Sequence, residues 1–142
     1  MSVLDERVHL AVIDALLNAA LGPDPANNDG PRAFAYGTVP GEPGNPGVRP
    51  PIFVVRSLER RYVEPQVAGR AAVGSWRLTT RHVGRTVADA EWAAAQISAA
   101  LNEARLTIGG AQTTPVTHES TSAVAPDDGM FSGVTNWTYA LT

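Results

Sequence analysis

SWRLTTRHVGRTVADAEWAAAQISAAL, Ser75 to Leu101, changes its apolar period part-way along, and that change decides the fold class. From Ser75 to Val83 the residues alternate. Trp76, Leu78 and Thr80 fall on one side and Arg77, Thr79 and Arg81 on the other, which is the two-residue period of a strand with one covered face. After Gly84 the period lengthens: Val87, Ala90, Ala94, Ile97 and Leu101 form the stripe of a helix laid on that sheet, with Thr86 and Asp89 placed to cap its start. The alanines between them allow helix and sheet to approach closely.

Upstream, the β-branched run Ile52 to Leu58 leaves a double proline as a strand, and Arg61 to Val67 reads as a further strand continuing past Pro65. At the N-terminus, Ser2 and Asp5 have the form of a capping box. Leu4, Val8, Ala11, Val12, Ala15, Leu16 and Ala19 predict a helix over 3–20 with that face inward and His9 outward, stopped by Gly22-Pro23. Downstream, Leu106 to Ile108, Gly109-Gly110, a Thr/Ser-rich stretch and the turn Pro126 to Gly129 lead into Met130 to Leu141. There Phe131, Trp137, Tyr139 and Leu141 keep even spacing, as in a C-terminal β-hairpin. The order helix, loop, strands, helix, strands predicts an α+β domain spanning 1–142: an antiparallel β-sheet packed by two α-helices.

The loop in that order is unusual. Gly22 to Pro51 holds eight of the eleven prolines and six of the thirteen glycines, with a possible short strand carrying Phe34 and Tyr36. So little apolar surface hardly offsets the entropy of ordering, so the expectation is either a loop that stays mobile as a linker or an arm that orders against something outside its own domain.

Charge is distributed in blocks. Residues 1–55 carry three Arg against six acids, 56–85 seven Arg against two acids, and 86–142 one Arg against six acids. Such a distribution reads either as a solvated sheet face carrying arginine or as a polarised surface that mates with a partner or with another copy. There is no cysteine, which removes disulfides and thiol chemistry. Asp5, Glu6 and Asp14 within the first apolar pattern predict an amphipathic helix rather than a signal peptide or membrane span, so a soluble protein with no membrane partner is expected.

Reactive chemistry is not indicated. Gly69 to Ser75 has the glycine spacing of a phosphate loop but no lysine, and a strand follows it where the motif needs a helix. His9, His82 and His118 share no metal-ligand spacing, and Pro126-Asp127-Asp128-Gly129 is a turn sequence before it is a cation loop. No nucleophile elbow occurs. No catalytic residue, cofactor or metal site is therefore predicted. Trp76 and Trp137 have core spacing, whereas Trp92 lies off the helix stripe and is the best exposed aromatic anchor.

The layout resembles a siphophage tail terminator over nearly the whole chain. The resemblance rests on the N-terminal helix, the Pro/Gly-rich loop, the Pro-Pro-Ile-Phe-Val-Val strand, the charged strand Trp76 to His82, the Ala-rich helix with Glu91-Trp92, Gly109-Gly110 and the terminal FSGVTNWTYAL. The arginine-without-lysine, alanine-rich composition is similar to that of phages infecting actinobacteria. The resemblance implies a virion protein at the head-tail junction, made in the host bacterial cytoplasm. It would form a homo-hexameric ring on the major tail tube protein, end tube growth and bind a head-completion or stopper protein, with DNA passing through the lumen. Interface candidates are Arg56, Arg60, Arg61, Arg70, Trp92, Glu42, Asn45, Asp127 and Asp128. A head-tail connector is the alternative within this class. A small nucleic-acid-binding protein using Arg56, Arg60, Arg61, Arg70, Arg77, Arg81 and Arg85 is the alternative outside it.

Overall fold

A computed structural model describes residues 5–42, 44–61 and 75–141. Helix α1 (Glu6–Leu21) is followed by a single 3-10 turn (Pro25–Asn27), strands β1 (Ala33–Ala35), β2 (Ile52–Arg61) and β3 (Ser75–Gly84), and helix α2 (Val87–Leu101). Strands β4 (Arg105–Ile108), β5 (Ala111–Pro115), β6 (Thr117–Thr121), β7 (Ala125–Asp127) and β8 (Met130–Ala140) complete the chain. The main sheet has the order β1-β2-β3-β8-β6, with β7 also on β8, and β4-β5 forms a separate hairpin. Every pairing is antiparallel except β1 with β2. The architecture is the expected α+β class. Among the described residues no helix is long and apolar enough to cross a membrane.

The alternation along the central strands sends side chains to two faces. On one face Val54, Leu58, Trp76, Leu78, Trp137 and Tyr139 pack under Ile13, Leu17 and Leu21 of α1 and Ala93, Ile97 and Leu101 of α2. The junction between sheet and α2 is tight. A Cβ on Gly84 would sit 2.5 Å from the Ala90 backbone nitrogen, so only glycine lets β3 turn directly into the helix. The Thr86 hydroxyl then caps α2 by accepting from the Asp89 N–H at 3.1 Å.

Helix α1 corrects the expected phase. Its buried residues are His9, Ile13, Leu17 and Leu21, whereas Ala11, Ala15 and Ala19 face solvent and Val8, Val12 and Leu16 are half-buried. The helix is apolar on two sides, so periodicity alone did not choose between them. His9 goes inward because it is satisfied there: its Nδ1 shares a 2.7 Å hydrogen bond with the Tyr139 hydroxyl, and its ring lies 4.2 Å from that of Trp76. The cap is also displaced. Asp5 accepts from the Arg7 N–H at 2.9 Å, while the expected cap Ser2 lies outside the described residues. In α2, Ala93 replaces Ala94 in the buried stripe and Val87 is exposed. The strand expected over Arg61 to Val67 begins as the end of β2, and 62–67 lie outside the described residues.

The opposite face has its own, smaller core, and the Pro/Gly-rich segment builds it. Val39, with no exposed surface, and half-buried Phe34 pack on Phe53, Val55, Val83 and Met130. The segment is also held by polar contacts. Asn18 Oδ1 accepts from the backbone N–H groups of Arg32 and Ala33, Arg32 O accepts from Val54 N–H, and the Gly41 N–H donates to Asn45 O. The described parts of 22–51 thus pack onto their own domain. Much of the segment's surface stays in solvent, and among its described apolar side chains Tyr36 is 85% and Val48 79% exposed.

His82 lies buried on the helix-covered side of β3, so close to β8 that a Cβ on Gly133 would meet its Nε2 at 2.6 Å. Burial pushes its imidazole below the ordinary value of 6.5, because the charged form is desolvated. The unfolded chain therefore binds a proton there more readily than the folded one, and stability falls as pH is lowered through 6.5. Urea unfolding between mildly alkaline and mildly acidic pH should show this loss, and His82→Gln should lose less over the same interval. Equal slopes would contradict the burial account.

Candidate functional site

Where the Pro/Gly-rich segment meets the β7-β8 turn, a cavity of about 370 Å³ opens on the sheet face away from the helices. Phe53 and Val83 give it an apolar floor, Tyr36 stands at its edge, and Glu42, Arg49, Arg81, Asp127 and Asp128 supply its charge. The β7-β8 turn presents its two acids because both central residues have positive φ, Asp128 at 51° and Gly129 at 81°, the requirement of a tight two-residue hairpin. Arg81 reaches the site because odd-numbered β3 residues face away from the helices.

The charges largely answer one another. Arg81 Nη1 donates to Asp127 Oδ2 at 2.6 Å and its Nη2 lies 4.0 Å from Glu42, so one guanidinium braces the loop against the C-terminal hairpin. Ser132 Oγ donates to the same Asp127 oxygen at 2.9 Å. Arg49 stands 4.0 Å from Asp128 across the mouth, a long and exposed pairing that water screens strongly. Among the described residues no three His, Asp or Glu side chains gather at metal-binding range.

Four of the expected interface residues, Glu42, Asn45, Asp127 and Asp128, thus lie together at or beside one site; Asn45 holds the loop by donating from Nδ2 to the Thr38 carbonyl. The others lie elsewhere. Arg56 turns to the helix layer, where it grips Asp14 with two hydrogen bonds of 2.7 and 2.8 Å, and that carboxylate raises the guanidinium above its ordinary value. Arg60 is exposed near the end of β2, opposite Trp76 in register. Arg61 closes β2, and Arg70, like the glycine-spaced stretch at 69–74, lies outside the described residues. Trp92 is 40% exposed on α2.

Opposite charges from different blocks of the sequence meet within one chain: Arg56 with Asp14, Arg81 with Asp127, and Arg77 with Glu119 at 2.8 Å. Arg56, Arg77 and Arg81, held in this way, are poorly placed to collect phosphates. Sequence reasoning missed Arg49, Arg81, Tyr36 and Phe53 as parts of one site. The odd-side position of Arg81 was a usable signal; the placing of Tyr36 and Asp128 on one cavity was not.

No protein-family model matches the chain, and no curated protein matches it in sequence. Its fold does match solved structures. A chain of the virion of a native gene transfer agent particle superposes with a TM-score of 0.61 at 16% identity, covering 94% of this chain and 90% of that one. A second solved chain, whose name states no function, gives a TM-score of 0.61 at 12% identity over 98% of this chain and 96% of the other. Both cover nearly the whole of each partner, so what is shared is the complete fold, not a fragment of it.

The two aromatics near the cavity separate floor from rim. Phe53→Ala should destabilise the domain by about 3–5 kcal/mol as a buried large-to-small change, whereas Tyr36→Ala should stay within about 0.5 kcal/mol. Denaturant unfolding of both variants checks this, and a large loss in the tyrosine variant would mean that its ring is packed, not presented.

Proposed function

We propose that this chain is a structural protein of a tailed, phage-like particle, and that it acts as a tail terminator: a ring, most simply a hexamer, that seats on the last ring of tail tube protein, ends its polymerisation and offers its other face to a head-completion protein. The observation that carries the reading is the whole-chain fold match to a subunit of a gene transfer agent virion. Two features of the structure support it. The charged groups of the cavity are spent on bracing the subunit, as suits a docking surface more than a reaction centre. The net charge of −3 also limits adhesion of DNA passing through a lumen.

Rings arise from heterologous contacts, in which one patch of a subunit meets a different patch of the next, and closure fixes the copy number. The test is assembly in the presence of the tube protein. Purified chain added to polymerising tail tube protein should shorten the tubes and appear by electron microscopy as a cap at one end, with six copies. Twelve copies bound to a portal-side ring would identify a connector instead. Tubes of unchanged length without a cap would overturn the terminator reading.

A further inference from the structure

The helix layer carries a second recess, separate from the charged cavity. Between the outer side of α1 and β4 lies an apolar groove of about 370 Å³, lined mainly by Val12, Ala15, Leu16, Ala19 and Leu106, with Arg105 as the charged residue of the lining. The phase of α1 creates it: with His9, Ile13, Leu17 and Leu21 committed to the core, the helix's other apolar side is left facing outward. Arg105 is exposed and makes one long hydrogen bond, 3.4 Å, to the Thr113 carbonyl.

The same chain presents a projection of complementary character. On the first half of α2, Val87 is 41% and Trp92 40% exposed, and the exposed carboxylate of Glu91 adjoins the indole, with Asp89 in the first turn. An exposed indole flanked by acids fits an apolar recess flanked by an arginine. Trp is the residue type that most often anchors an interface, and a carboxylate-guanidinium pair at its rim fixes orientation. Groove and projection share no residue, so one copy can offer its groove while its own projection engages another. Such a contact is head-to-tail and propagates until it closes.

We propose that the α1-β4 groove of one copy receives Trp92 of a second copy, with Glu91 of that copy beside Arg105. The inference rests on the ring reading above and names the contact that builds the ring.

The absence of cysteine from the chain makes a direct test available. Ala19→Cys and Ala95→Cys variants, which leave the indole and the groove's larger side chains in place, should when mixed and oxidised give a disulfide-linked pair that neither variant forms alone. A chain carrying both changes should give a ladder of covalent multimers. By analytical ultracentrifugation, Trp92→Ala should weaken self-association by about thirtyfold or more, as for a central anchor, while leaving the unfolding midpoint unchanged. Arg105→Glu should weaken it too, and adding Glu91→Arg should restore it. A wild-type chain that stays monomeric at high micromolar concentration and leaves tail tubes uncapped would overturn the ring reading and the contact together. A chain that associates normally despite Trp92→Ala, with no cross-link in the mixture, would overturn this contact and leave the ring reading standing. Cross-linking of Ala95→Cys with itself would replace the head-to-tail contact by a two-fold one.

Discussion

The central strands bury apolar side chains on both faces at one end of the sheet, and this double burial governs how the rest of the chain is used. Val54 points to the helices while Phe53 and Val55 point away, and all three are buried. Two helices cover one face. The other needs a separate cover, and burying each of its larger side chains is worth about 1.5–3 kcal/mol. The Pro/Gly-rich segment provides that cover through Phe34 and Val39, and the β7-β8 turn adds Met130. A segment with few apolar residues is enough because it brings them to a floor that is already apolar, and because prolines lower the entropy it has to lose.

That cover places the charged cavity. The segment ends on the same sheet face as the β7-β8 turn, and Arg81 ties the two through Asp127 and Glu42. Polar residues occupy the uncovered part of this face, with Arg77 bridging Glu59 and Glu119, and Asn136 linking to Thr79 and Ser120. The sheet edges are also restrained. Asn18 occupies two consecutive N–H groups at β1, and β6 carries a register shift between His118 and Ser120. Both are devices that discourage strand addition. Assembly by side-chain docking fits this surface better than extension of the sheet.

Much of the fold was legible because it follows from local period. The alternation of β3, the stripe of α2 and its Thr86 cap, and the tight turn at Asp128-Gly129 depend on neighbours within a few residues. The phase of α1 was not legible, since Val12, Ala15 and Leu16 compete with Ile13 and Leu17 on equal apolar terms, and only the distant Tyr139 hydroxyl makes His9 the better inward choice. The ordering of 22–51 was hidden for a related reason: composition registers its prolines, but not that Phe53 and Val83 lie beneath them. Among the candidate site residues, Asp127, Asp128 and Glu42 were reachable as exposed acids on turns. Arg81, the partner of Asp127 and Glu42, comes from a strand some forty residues away in sequence from each, so the brace itself exists only in three dimensions.

Native-state hydrogen exchange on the isolated subunit tests most directly whether the Pro/Gly-rich segment belongs to the domain. The backbone N–H groups of Arg32, Ala33 and Gly41 are held by Asn18 and Asn45 within one chain, so they should exchange far more slowly than an unstructured peptide and open together with Val54. Exchange of these three at free-peptide rates, with β3 and β8 still protected, would contradict the account and return the segment to the role of an arm that orders on another chain.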